Sequence, residues 1–249
     1  MNYAKAFFYN LWKLYIGVWF ITTLLLFYPL FWVLLRKVEW RRFTFPINVF
    51  WSRLMRMVCF YAVELEGEIE VKNSSPFLIC ANHTSYLDIF LMYSILPKHK
   101  FLFMGKSEIL SYPLVKTFFK RLNIPVFRTD RVKAARSFIL AKKNIDLGWS
   151  VVIFPEGGIP AQPPKMIQLK DGAFKLAKAA EIGIFPITFK NNYKLFSDPE
   201  YVFQPARPGL VKVVVHPFVD KEYVCATPVV QLNNYVFNLL NSPLVEKFD

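Results

Sequence analysis

FLICANHTSYLD, residues Phe77 to Asp88, decides how this chain is read. The apolar run FLICA reads as a strand. Polar residues Asn82 to Ser85 follow, and Ser85-Tyr86-Leu87-Asp88 has the spacing of a helix capping box. The segment therefore reads strand, loop, helix, with an imidazole (His83) in the loop and a carboxylate (Asp88) in the first helical turn. On one continuous helix these two side chains would point about 140° apart and could not cooperate. With His83 in the loop, the turn can fold the imidazole back towards the carboxylate.

The same alternation continues outward. Strands are expected at Val63–Val71, Phe77–Ala81, Phe101–Met104, Ile124–Phe127, Val151–Phe154, Ile184–Phe189 and Leu210–Val215. Helices are expected at Tyr86–Ile95, Pro113–Lys120, Lys133–Asp146, Gly172–Glu181 and Val229–Leu240. Interleaved strands and helices predict an α/β fold, a mixed, partly parallel sheet flanked by helices, over residues 64–249. Ligand sites in such sheets gather beyond strand ends. No internal repeat stands out.

Residues 1–63 differ in character. From Leu14 to Leu35 no charged residue occurs, and a helix of that length would cross a hydrocarbon core of ~30 Å. The following Arg36, Lys37, Arg41 and Arg42 lack a small-residue cleavage site, which sets the segment apart from a secretory signal. They outnumber Lys5 and Lys13 on the other flank, so the positive-inside rule puts the body of the protein on the cytoplasmic side of the membrane. Pro29 permits a re-entrant path as well as a spanning one. Phe45 to Val63 is amphipathic, with Arg53 and Arg56 forming a narrow stripe among aromatics, as in a helix lying in the interface; a helix packed on a soluble core shows the same stripe. Residues 1–63 are thus expected to form a membrane-associated helical element.

Composition agrees. Of 249 residues 54% are hydrophobic and 26 are Phe, with a mean hydropathy of +0.29. The 31 Lys and Arg exceed the 18 Asp and Glu by 13 charges, which points to an anionic partner. Membrane lipids fit basic residues flanking apolar stretches. Nucleic acid does not, because zinc spacing, basic heptads and aromatic RNA-binding signatures are missing. Cys59, Cys80 and Cys225 are odd in number and set among apolar neighbours, as core thiols of a reducing compartment are. His83, His99 and His216 lack metal-ligand spacing, so no metal and no cofactor is expected.

A His83–Asp88 pair suits acyl transfer to an alcohol. A hydroxyl needs a general base to attack a thioester at neutral pH, and imidazole, with a pKa near ~6.5, is the usual one. Asp88 would fix its tautomer. Helix capping by Asp88, and a His83 bonded only to backbone, explain the same residues; capping and partnering are compatible. Val151 to Gly158, VVIFPEGG, ends an apolar strand in Glu156 and two glycines, letting backbone N–H groups approach an anion, or simply marking a turn. Asn123 to Arg131, NIPVFRTDR, delivers Arg128 and Arg131 for a phosphate, or for surface ion pairs. Lys170 precedes another helix whose amino end could hold an anion.

Together and in this order, these pieces resemble the glycerolipid acyltransferase family typified by the PlsC-like 1-acyl-sn-glycerol-3-phosphate acyltransferases. Its Asn-His-x4-Asp signature is met by Asn82, His83 and Asp88. Its apolar strand ending in Arg resembles Ile124 to Arg128, with Arg131 at a further basic position. Phe-Pro-Glu-Gly stands intact as Phe154, Pro155, Glu156 and Gly157, and a fourth signature resembles Ile184 to Ile187. The resemblance implies His83 and Asp88 as the catalytic pair. It also implies Asn82, Arg128, Arg131, Glu156, Gly157 and Lys170 as substrate-binding residues. The donor it implies is an acyl-carrier-protein or coenzyme A thioester, and the acceptor a lysophosphatidate, acylated at its sn-2 hydroxyl. The membrane it implies is the inner membrane, at its cytoplasmic face. One departure is Gly158-Ile159, where many members have Thr or Ser and then Arg; this leaves acylation of another lyso-lipid as an alternative. A non-catalytic membrane adaptor on the same fold is the alternative of another class.

Overall fold

A computed structural model of the chain describes residues 3–69, 76–198 and 201–245. Its strands are β1 (Tyr61–Glu66), β2 (Leu78–Ala81), β3 (Phe101–Lys106), β4 (Ile124–Val126), β5 (Ser150–Ile153), β6 (Ile184–Phe189) and β7 (Gly209–Val215). They form one sheet in the order β1-β7-β6-β2-β5-β3-β4. Neighbours are parallel except β6 and β7, so the sheet is mixed. β2 lies at its centre between β5 and β6, and Leu78 to Ala81 are wholly buried. That is why FLICA carries no polar alternation.

The helices are α1 (Tyr3–Leu34), α2 (Thr44–Val58), α3 (Tyr86–Ile95), α4 (Pro113–Leu122), α5 (Arg131–Asp146), α6 (Gly172–Ala179), α7 (Asn192–Leu195), α8 (Lys221–Ala226) and α9 (Val229–Val245). Strand order runs outward through β2, β3 and β4, then reverses through β5 to β6. Right-handed crossovers then place α3 and α4 on one face of the sheet and α5 and α6 on the other. Packing agrees: α1 and α2 lie against α4 and α3, whereas α6 touches α5, α8 and α9.

Seven strands stand where the sequence pattern puts them, with one shift. The strand expected from Val63 begins at Tyr61, because Phe60 (φ 53°) ends the α2 segment in a left-handed turn, and it ends at Glu66 because Gly67 (φ 93°) turns the chain again. Positions 70 and 71 of that expected strand lie outside the described residues. The expected boundary between residues 63 and 64 falls inside β1. The short helices α7 and α8 carry too few residues to show a periodicity.

α1 extends the expected apolar helix back to Tyr3 and runs through Pro29. It is long and apolar enough to cross a membrane, yet it is fastened to the body along its length. Lys13 Nζ donates to the Tyr201 carbonyl (2.6 Å) and Asn10 Nδ2 to that of Val202 (2.9 Å). Tyr15 Oη donates to the Val58 carbonyl (3.0 Å), and Trp51 Nε1 to Thr23 Oγ1 (2.8 Å). Near the other end Phe31 meets Phe118 edge-on at 4.9 Å. The opposite side of α1 leaves Phe7, Phe8, Leu14, Val18, Leu25 and Leu26 exposed. α2 buries Phe45, Val49, Trp51 and Met55 while Phe50, Arg53 and Met57 stay exposed. Its amphipathic pattern therefore serves both surfaces: a core face against α1 and α3, and an outer face of aromatic, thioether and cation.

Candidate active site

β2 to β6 are mutually parallel across the sheet, so their carboxyl ends share one edge. That edge collects the loop after β2 (Asn82 to Ser85), the turn after β5 (Phe154 to Gly158), the start of α7 after β6, and Lys106 at the end of β3.

In the loop after β2, His83 Nδ1 lies 3.0 Å from Asp88 Oδ2. The same oxygen accepts the backbone N–H groups of Thr84 (2.6 Å) and Ser85 (2.9 Å). Ser85 Oγ in turn accepts from the Leu87 N–H (3.0 Å), completing the capping box. Capping and pairing are thus one arrangement: the carboxylate that starts α3 also holds the imidazole. Asp88 Oδ1 accepts from Asn192 Nδ2 at 2.6 Å. Asp88 and Asn192 are fully buried, and His83 is 9% exposed. With Nδ1–H directed at the carboxylate, the lone pair of the ring is on Nε2. Phe154 stacks on the ring at 4.2 Å and 18°, limiting its rotation.

Glu156 is 2% exposed, and both its oxygens are used: Oε1 accepts the His83 N–H (2.9 Å) and Oε2 the Ile167 N–H (3.1 Å). Burial pushes its carboxyl up, against the two backbone N–H groups that pull it down. The carboxylate expected to meet substrate hydroxyls instead bridges the loop after β2 to the loop before α6. Asn82 is also committed. Its Oδ1 accepts the Phe189 N–H (2.7 Å) and its Nδ2 donates to the Phe189 carbonyl (3.0 Å), with no exposed surface. A buried amide with both ends engaged by one strand clamps β2 to β6.

The turn after β5 is lined by cations. Gly157 has φ 85°, and a Cβ there would lie 2.7 Å from Lys170 Nζ; one at Gly158 would lie 3.4 Å from Lys106 Nζ. Two ammonium groups therefore rest against the Pro155 to Gly158 turn, from opposite sides in sequence. Lys170 was legible; Lys106 was not, being one cation at the end of an apolar strand. Arg128 and Arg131 are exposed beyond β4, the edge strand three places from β2. Arg128 stands near enough to Glu108 for the two charges to interact, and Lys106 acts on the same carboxylate. Asp130, between Arg128 and Arg131, caps α5 and pairs with Lys133 at 3.1 Å.

Asn192 is the residue the sequence did not reveal. It stands 104 positions from Asp88, and its only local sign is a polar pair, Asn191-Asn192, closing an apolar strand. The other buried histidine, His216, has Nε2 2.8 Å from Thr188 Oγ1, which donates to the Leu240 carbonyl (2.9 Å). Burial lowers its pKa to about 4, so it stays neutral and ties β6 and β7 to α9. Among the described residues no three His, Cys, Asp or Glu side chains converge to hold a metal.

Comparison with known proteins places this arrangement. The chain is 29% identical over 159 residues to a 1-acyl-sn-glycerol-3-phosphate acyltransferase of Chlamydomonas reinhardtii, covering 63% of this chain and 46% of that one. It is 26% identical over 179 residues to a chloroplastic protein of the same name from Arabidopsis thaliana, covering 71% and 48%. The chain thus spans about half the length of these curated relatives. In fold it is similar to the crystal structure of the 1-acyl-sn-glycerophosphate acyltransferase PlsC of Thermotoga maritima. There the TM-score is 0.73 at 22% identity, over 99% of this chain and 97% of that one. The Acyltransferase family matches residues 62–190, from β1 through β6 and so across the whole His83, Asp88 and Glu156 constellation; with more than half of its length matched, this chain belongs to the Acyltransferase family.

Proposed function

We propose that the protein transfers a fatty acyl group from a thioester, of acyl carrier protein or coenzyme A, to the sn-2 hydroxyl of a lysophosphatidate-like acceptor. The observation that carries this reading is the 3.0 Å contact between His83 Nδ1 and Asp88 Oδ2, which leaves Nε2 as the base. Nε2 takes the proton of the acceptor hydroxyl as its oxygen bonds to the thioester carbonyl carbon. The carbon–sulfur bond then breaks, and the departing thiolate recovers the proton from Nε2. The Asp88 carboxylate stabilises the imidazolium between these steps. Asn192 and the Thr84 and Ser85 amides hold that carboxylate, and Glu156 holds the His83 backbone.

Lys106 and Lys170 supply positive charge for the acceptor's phosphate. Lys106 stands beside Gly158, next to Ile159, the position where many relatives carry arginine; a cation from β3 thus offsets the one missing from the turn. The relatives' shared name, 1-acyl-sn-glycerol-3-phosphate acyltransferase, supports the same acceptor. The exposed apolar sides of α1 and α2, with Arg36, Lys37, Arg41 and Arg42 between them, would seat the protein on the cytoplasmic face of a membrane.

His83→Ala tests the reading. Turnover of lysophosphatidate with either thioester should fall by a factor of ~10³ or more, while the unfolding midpoint and binding to vesicles remain. Undiminished turnover sinks the assignment of His83 as base, and a parent protein inactive with both thioesters sinks the reaction.

A further inference from the structure

The outward face of α5 is neither core nor site. Val132, Arg136, Ile139 and Lys143 fall within a ~60° arc of the helix at 100° per residue. Buried Ser137, Ala141 and Asn144 occupy the other side. Val132 is 63% exposed and Ile139 69%, unusual for aliphatic side chains between cations. The nearby acids are already engaged: Asp130 pairs with Lys133 at 3.1 Å and Asp146 with Lys142 at 3.2 Å. Among the described residues Arg131, Arg136 and Lys143 take part in no ion pair. The face is therefore a stripe of uncompensated positive charge, ~16 Å long, that begins at the aliphatic Val132 and carries Ile139 between Arg136 and Lys143.

Two features of its position narrow the occupant. α5 lies on the face of the sheet opposite α1 and α2, and Arg41, between those helices, reaches only its carboxyl end at Asn144, so the face from Val132 to Ile139 points away from a bilayer seated against them. Its amino end, Arg131, follows β4 at the sheet edge that holds His83. We propose that this face docks an acidic protein with apolar residues among its carboxylates, the carrier of the thioester donor. Complementary charge steers such a partner, and the exposed aliphatic side chains, Ile139 between the cations and Val132 at the amino end, supply the apolar contact that specific docking needs. A free nucleotide thioester has no use for exposed aliphatics along three turns of helix. The inference rests on the proposed acyl transfer only for what the partner carries; the docking itself stands on the surface.

The test uses the full chain with the double variant Arg136→Glu/Lys143→Glu and, separately, Ile139→Asp. A third variant, Lys120→Glu on α4 across the sheet, serves as control. Binding of acyl-carrier-protein is measured by fluorescence anisotropy, turnover is measured with acyl-carrier-protein and coenzyme A thioesters, and membrane association by vesicle flotation. The double variant should weaken carrier binding and raise the KM for the carrier thioester, each by ~10-fold. Coenzyme A kinetics, flotation and the control should not move. Unchanged carrier binding in both face variants overturns the proposal, as does a parent that binds no carrier. Loss of flotation with carrier binding intact also overturns it, by showing that the face meets lipid. A parent that binds carrier through this face but turns over neither thioester would leave the docking standing and refute the reaction.

Discussion

Replacing Asn192 with aspartate sets two carboxylates against each other where the structure has an amide donating to Asp88 Oδ1 at 2.6 Å, both side chains being fully buried. Two buried acids at that separation cannot both ionise, so they share one proton and the pair titrates well above the ordinary aspartate value of ~3.9. The sign follows from linkage. Below pH ~4 the new carboxyl is protonated folded and unfolded, donates as the amide did, and costs little. As pH rises towards the raised value, the unfolded chain releases a proton that the folded chain keeps, so stability is lost at ~1.4 kcal/mol for each tenfold difference in proton affinity between the two states. A folded pair that holds its proton ~10³-fold more tightly than the unfolded chain loses ~4 kcal/mol by pH 7. Asn192→Ala removes one hydrogen bond to a charged group, ~1.5–3 kcal/mol, at every pH in this range. Urea midpoints of parent and both variants between pH 5 and pH 8 check this, with turnover measured alongside. On these figures the aspartate variant should be down by ~1.5 kcal/mol at pH 5 and by ~4 kcal/mol, below the alanine variant, at pH 8. Its turnover should lie below the parent's wherever the pair keeps its proton, because a shared proton deprives His83 of its full counter-charge. Equal, pH-independent deficits in the two variants would show that the amide does not face Asp88, and Asn192 would lose its role as a positioning residue.

Glu156→Gln keeps the shape but offers a donor to one of two backbone N–H groups, so it should lower stability by ~1–3 kcal/mol and lower kcat with little change in acceptor KM. Because burial raises the Glu156 carboxyl, parent stability should decline as pH rises from the unfolded value of ~4.3 to the raised one. Urea midpoints across that range should show the slope flattened in Glu156→Gln. Lys106→Ala and Lys170→Ala should each raise the KM for lysophosphatidate by ~10-fold, as loss of a charge-assisted contact does, and leave a phosphate-free acceptor unaffected in steady-state assays. Equal effects on both acceptors would remove the two lysines from phosphate binding.

Fold and site were legible to different degrees for physical reasons. Strands such as Leu78–Ala81 and Ile184–Phe189 are buried on both faces, so their apolar runs announce them; α7, four residues long, has no period to read. The pairing of His83 with Asp88 was legible because a capping box fixes the fold of the few residues between them. Glu156 was legible as a residue and not as a role, since its partners are backbone N–H groups of His83 and Ile167, which any side chain could accompany. Asn82 was read from its place beside His83, whereas the geometry spends its amide on Phe189. Asn192 and Lys106 meet the site only through sheet order, which sets β6 and β3 near β2 and leaves no trace in local sequence.

The fastening of α1 has a mechanical outcome. Lys13 and Asn10 tie its first turns to the chain at Tyr201 and Val202, Thr23 ties its middle to Trp51, and Phe31 wedges its far end against Phe118. A helix moored at both ends and amidships moves as one piece with the body it is tied to. Whatever tilts that helix tilts the body with it, because the contacts spread along its length transmit the motion to the sheet.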